Sequence, residues 1–132
     1  MELQNNVVGW FEIPVKRMER AVKFYETIFK VKLERHSMEY PAGKTETAWF
    51  PYVNAPGSPG ALVKNKKWSK VTGEGVIIYF TTPSGDLESD LQNIKKAGGK
   101  ILTARHKVSD DIGYIGLFTD TEGNKIAIHS RK

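Results

Sequence analysis

Glu12 is the carboxylate best placed to do chemistry in this chain. It lies two positions after Trp10 in Val7 to Val15, a run rich in β-branched and aromatic residues. Such a run reads as a strand, and strand alternation turns Trp10 and Glu12 to the same face. A carboxylate enclosed by Trp10, Trp49 and Tyr79 would be desolvated, the condition in which it serves as a general acid or base. A buried Glu that only hydrogen-bonds is the plainer alternative. His129, in the last strand-like run Lys125 to His129, is the other candidate polar group, as a metal ligand or a polar anchor, with capping of the sheet edge as the plainer alternative. Other chemistries are excluded early. There is no cysteine, so there is no thiolate nucleophile, disulfide or cysteine-bound zinc. No nucleophile elbow or catalytic-triad spacing occurs. Gly98-Gly99 ends a helix rather than starting one, so it is not a phosphate cradle. Asp110-Asp111 reads as a solvated turn.

The elements that must hold these residues follow from periodicity. Met18, Ala21, Val22, Tyr25, Ile28 and Phe29 fall on one face of a helix. Lys30 to Tyr40 and Lys44 to Tyr52 read as strands joined by the turn Pro41-Ala42-Gly43. Asn54 to Gly60 is a loop, Ala61 to Lys64 a short strand, and Asn65 to Gly73 a polar connector. Val76 to Thr82 reads as a strand of buried character. Ser84-Gly85-Asp86 then caps a helix striped by Leu87, Leu91, Ile94 and Ala97, which Gly98-Gly99 stops. Lys100 to His106, Ile112 to Thr119 and Lys125 to His129 complete the strands. Asp120 to Asn124 forms the turn between the last two.

The order is strand, helix, three strands, twice. Pro14, Glu19, Val22, Tyr25, Ile28 and Leu33 recur 69 positions later as Pro83, Glu88, Leu91, Ile94, Ala97 and Leu102. A doubled module places its working face between the copies. We expect one α+β domain over 1–132, with module one at about 5–64, a linker at about 65–73 and module two at about 74–130. The net charge of +5 favours an anionic partner. The one dense basic patch is Lys64, Lys66, Lys67 and Lys70 around Trp68. It reads either as a nucleic-acid or anion module or as a solvated loop, and no nucleic-acid motif accompanies it. No apolar run is long enough for a membrane helix, and Met1 to Asn6 lacks a signal-peptide layout. The expectation is therefore a cytoplasmic protein.

Several stretches carry a family likeness. They are Arg20-Ala21-Val22-Lys23-Phe24-Tyr25-Glu26-Thr27-Ile28-Phe29, Tyr79-Phe80, Ala97-Gly98-Gly99-Lys100-Ile101, and Phe118 to Ile126 with its Asp120-Thr121-Glu122-Gly123-Asn124 hairpin. In this order the chain resembles the vicinal oxygen chelate superfamily of glyoxalase I, bleomycin and fosfomycin resistance proteins and extradiol dioxygenases. Thr121 stands where that hairpin usually has proline. The opening Gly9 to Val15 is most similar to small proteins related to lactoylglutathione lyase. The resemblance implies tandem βαβββ modules around a U-shaped cleft, commonly dimeric. In the family's metal enzymes a divalent ion sits on His, Glu or Gln from the first and fourth strand of each module.

Carried onto this sequence, those ligand positions fall on Trp10, on Gly60 to Val63, on Ile77 or Tyr79, and on Ala127. Indole nitrogen only donates, and between Glu46 and Glu74 there is no Asp, Glu or His. Glu12 and His129 remain, with Tyr79 a poor third. No metal site and no cofactor are therefore expected, with a divalent ion on an atypical set as the rival. His36 and His106 read as surface or rim residues. Trp10, Trp49, Tyr79, Tyr114 and Phe118 would line a cleft for a flat ligand, with Glu12 or His129 as polar anchor. Plain core packing is the alternative for several of them. The functional expectation is a homodimeric small-molecule binder of unassigned activity, either a binding or sequestering protein or a lyase or isomerase using Glu12 as base, with a metal-dependent lyase or dioxygenase of glyoxalase type as the alternative.

Overall fold

The computed structural model describes residues 6, 8, 10–40, 43–66 and 70–132. Val7, Gly9, the turn residues Pro41 and Ala42, and Lys67 and Trp68 of the basic patch lie outside the described residues. The elements are β1 (Phe11–Pro14), α1 (Met18–Phe29), β2 (Glu34–Tyr40), β3 (Gly43–Trp49), β4 (Gly60–Lys64), β5 (Ile78–Thr81), α2 (Leu87–Lys96), β6 (Lys100–Ser109), β7 (Gly113–Thr119) and β8 (Lys125–Ser130). They form two four-stranded sheets, ordered β1-β4-β3-β2 and β5-β8-β7-β6. In each the first strand runs parallel to the last, and the remaining pairings are antiparallel. The two sheets have the same wiring, as the repeat requires. This is the expected α+β fold.

Each helix lays its apolar stripe on one face of the sheets. Ala21, Phe24, Tyr25 and Ile28 of α1 and Leu87, Leu91 and Ile94 of α2 are buried in a single core with Ile13, Leu62, Phe118, Ile126 and Ile128. The pseudo-symmetry is visible in that core. Phe11 and Phe80, related by the 69-residue shift, meet edge to face with ring centroids 5.7 Å apart. Phe29 and Phe50 close around them. Aromatic pairs of this geometry add about 1 kcal/mol each beyond the area they bury.

The helix ends differ. Asp86 caps α2 and accepts from Ser89 N and Ser89 Oγ. Arg17, at the same place in α1, makes no side-chain cap. Its role passes to Glu122 from the β7–β8 turn. That carboxylate accepts from Lys16 N at 2.8 Å, Arg17 N at 2.7 Å and Arg20 Nε at 2.7 Å. An anion there also meets the positive end of the helix dipole. Burial alone would push the Glu122 carboxyl up. The Arg20 guanidinium, the two backbone N–H groups and the Thr121 hydroxyl outweigh it and hold the group at about 2.

Next to it, Tyr25 Oη donates to Asp120 Oδ2 at 2.7 Å. Burial, then the Asp120 charge, push the phenol well above its usual range, so it stays a donor. Asn124 Nδ2 donates to Pro14 O at 2.7 Å. The Asp120 to Asn124 hairpin thus fastens the second module to the first strand and helix of the first.

Several strand bounds change: β3 ends at Trp49 rather than Tyr52, and β6 runs on to Ser109 rather than stopping at His106. β5 is shorter than Val76 to Thr82 and is not buried throughout: Val76 is 90 % and Tyr79 58 % exposed. It is an edge strand with only Ile78 and Phe80 turned to the core. β2 begins at Glu34 rather than Lys30, because Lys30 adopts the left-handed conformation (φ 56°, ψ 46°) that ends α1.

Candidate functional site

The sheet faces turned away from the helices carry the candidate residues. In β1, Phe11 and Ile13 face the core, so Trp10 and Glu12 face the other way. Across the ladder Glu12 stands opposite Ala61, and Ala61 opposite Trp49. Trp10, Glu12 and Trp49 therefore come together. The Trp10 and Trp49 rings meet edge to face at 5.7 Å between centroids, and Trp10 Nε1 donates to Glu12 Oε2 at 3.3 Å. Trp10 is 41 % exposed, and Glu12 is exposed rather than enclosed. Enclosure by the three aromatics is thus not the environment Glu12 has: β1 is an edge strand, so its outward side chains meet solvent at the junction of the two sheets.

At that junction a cavity of about 350 Å³ opens, with Glu12, Pro14, Lys70, Glu74, Ile77 and Lys125 among its lining residues. The linker over 70–77 passes along it. A more open groove of about 760 Å³ lies at the far end of the first sheet, between Arg35, Lys44, Glu46, Lys64 and Lys66. Its arginine is already within 3.3 Å of Glu19 and 3.8 Å of Glu46.

In the second sheet Tyr79 pairs with Ala127 and Leu117 pairs with Ala127, so all three share the outward face. Tyr79 occupies the place in its module that Trp10 occupies in the first. Among the described residues no ring contact joins it to Trp10 or Trp49. His129 has the same strand parity as Ala127, but its Nε2 lies 2.6 Å from Ile112 O. A carbonyl only accepts, so that nitrogen carries the proton and is occupied. Tyr114 and Phe118 are not brought to the cleft. A Cβ on Gly116 would touch Leu91 of α2, which puts Tyr114, Gly116 and Phe118 on the helix side. Phe118 is 1 % exposed and packs on Phe24, while Tyr114 lies under the Arg105 guanidinium at 3.6 Å.

The structure adds one residue to the site. His36, read from sequence as surface or rim, stacks on Trp49 with ring centroids 4.3 Å apart. The signal that finds it is register. His36 pairs with Thr47, two residues from Trp49, so the two rings are diagonal neighbours on one face. His36 Nε2 lies 3.2 Å from Glu34 Oε1, off the hydrogen-bonding direction. Trp49 Nε1 is buried and has no hydrogen-bond partner. Among the described residues, no three His, Asp or Glu side chains converge on one point.

Comparison with known proteins agrees with the fold. A curated glyoxylase-like domain-containing protein of Didymella fabae is 31% identical over 134 residues, covering 99% of this chain and 98% of that one. Glyoxalase I from Zea mays superposes with a TM-score of 0.65 at 24% identity, over 92% of this chain but only 43% of the maize chain. This chain therefore spans less than half the length of the maize enzyme. An antibiotic binding protein from a Streptomyces species superposes with a TM-score of 0.63 at 17% identity, covering 99% of this chain and all of that one. The model of the Glyoxalase/Bleomycin resistance protein/Dioxygenase superfamily matches residues 7–128, and the chain belongs to that superfamily.

Proposed function

We propose that this chain binds a small, planar organic molecule on the outward face of its first sheet, against Trp10 and Trp49 and beside the cavity at the module junction. The observation that carries the reading is the Trp10–Trp49 pair with Glu12 at its edge. Two indoles at 5.7 Å offer a large rigid apolar surface at low entropic cost, with the Glu12 carboxylate as a polar group at its edge. Tyr79 supplies a second apolar wall from the other module. That an antibiotic binding protein has the same fold over its whole length fits a binding role. Glu12 is the carboxylate of this site that would take or give a proton if the bound molecule reacts.

The divalent ion of the family's metal enzymes does not fit this donor set. Its four positions hold an indole at Trp10, aliphatic groups around Ala61, a phenol or aliphatic chain at Tyr79 or Ile77, and a methyl at Ala127. A divalent ion needs three or four oxygen or nitrogen donors there. Glu12 and His129 stand on different sheets, and His129 is committed to Ile112 O. The site as proposed works without a resident metal, and a homodimer in solution is part of the same proposal.

The test is a thermal-shift screen of aromatic metabolites, glutathione thioesters and catechols, followed by titration of the best ligand. Trp10→Ala and Glu12→Gln should each weaken its binding about tenfold while the circular dichroism spectrum is kept, as expected for losing a stacking wall or one hydrogen bond. Unchanged affinity in both variants would remove this cleft from consideration.

A further inference from the structure

Trp49 Nε1 and His36 Nε2 are both buried and both without a hydrogen bond, and they belong to rings in direct contact. Buried donors are almost always paired, and each one left alone costs about 1–3 kcal/mol. Two such atoms, side by side on the face that carries the proposed ligand surface, are out of keeping with the rest of this protein. Elsewhere among the described residues the buried side-chain polar groups have hydrogen-bond partners, as Glu122, Asp120 and Asn124 do. In its Nε2–H tautomer His36 presents a donor like the indole N–H, and Glu34 Oε1, 3.2 Å away, lies off its hydrogen-bonding direction.

We infer that Trp49 Nε1 and His36 Nε2 are the recognition point for a hydrogen-bond acceptor on the ligand, so that the cleft selects a planar aromatic molecule bearing a carboxylate. This deepens the proposed function and rests on it. Access requires one ring to move, and Trp10 is the ring suited to do so. It precedes the regular part of β1, is 41 % exposed, and is tethered by a hydrogen bond of 3.3 Å. A small rotation of Trp10 would open a path for an acceptor to Trp49 Nε1 while its indole stays as one wall of the site. A carboxylate is favoured over a neutral carbonyl because it has two acceptor oxygens for the two donors, and because bonds of neutral donors to an anion are the stronger ones. The net charge of +5 works in the same direction.

The experiment compares two probes with one ring system, 2-naphthoate and 2-naphthylmethylammonium, by calorimetric titration of the wild type, Trp49→Phe and His36→Phe. Both substitutions keep a ring in place and remove the donor, and circular dichroism checks that the variants fold. The inference expects naphthoate to bind the wild type at least about tenfold tighter than the ammonium probe, with each variant losing most of that preference while still binding the ring. If the preference persists in both variants, it comes from net charge alone and the inference falls while the aromatic cleft stands. Equal binding of the two probes to the wild type has the same meaning. If neither probe binds below millimolar concentration, the inference falls and the proposed cleft falls with it.

Discussion

Glu122 shows how a residue in a family motif can serve structure rather than chemistry. It is 2 % exposed, yet it is charged, because two backbone N–H groups, two guanidinium nitrogens of Arg20 and a hydroxyl donate to it. Removing the charge by Glu122→Gln leaves Arg20 and two N–H groups short of an acceptor. Full burial of such a pair would make this cost 3–5 kcal/mol, and Arg20 is partly exposed, so about 2 kcal/mol in urea denaturation is expected. The pH dependence has a definite sign. The folded carboxyl, at about 2, lies below its ordinary 4.5, so its contribution is complete above about pH 5 and is lost as the pH falls through 4.5 towards 2. Glu122→Gln should flatten the acid limb of the stability curve in that window. At this scale the sequence disclosed part of the site. Trp10 and Glu12 share a face because strand parity is local, and Trp49 joins them through the ladder. His36 was hidden because its neighbour is set by the register of the β2–β3 hairpin. Tyr114 and Phe118 went to the helix side because parity alone does not say which face is which.

The elements were more legible than the site. The apolar spacing of α1 and α2, the Asp86 cap and the 69-residue repeat are local patterns, and they locate every helix and strand to within a few residues. The end of α1 after Phe29 was legible, but the start of β2 at Glu34 was not, because a lysine in the left-handed region at position 30 carries no signal of its own. Packing between elements yields a test of its own. A Cβ on Gly60 would lie 2.6 Å from the Phe11 carbonyl oxygen and from its ring, which sets the close approach of β4 and β1. A Cβ on Gly116 would lie 2.8 Å from a methyl of Leu91, at the free end of a side chain that can rotate. Gly60→Ala should therefore cost more than Gly116→Ala, about 2–3 kcal/mol against about 1 kcal/mol by denaturant titration. The reverse order would mean that β1 yields more easily than the α2 contact.

At the scale of the whole molecule, two like sheets share one aromatic core on the helix side, and their other faces carry buried residues such as Thr47, Ala61 and Ala127 beside the exposed Trp10, Glu12 and Tyr79. No helix among the described residues is long and apolar enough to cross a membrane. The family scaffold is kept in full, with the match running from residue 7 to 128. On the proposed reading, the positions that the family resemblance assigns to metal ligands hold indole, phenol or aliphatic, and methyl groups. The central claim is that this cleft holds an organic molecule through aromatic and hydrogen-bonding contacts and has no resident cation. Elemental analysis of the protein purified without chelators tests it most directly. The account predicts zinc, nickel, manganese and iron far below one ion per chain; any of them approaching one per chain after extensive dialysis would contradict it.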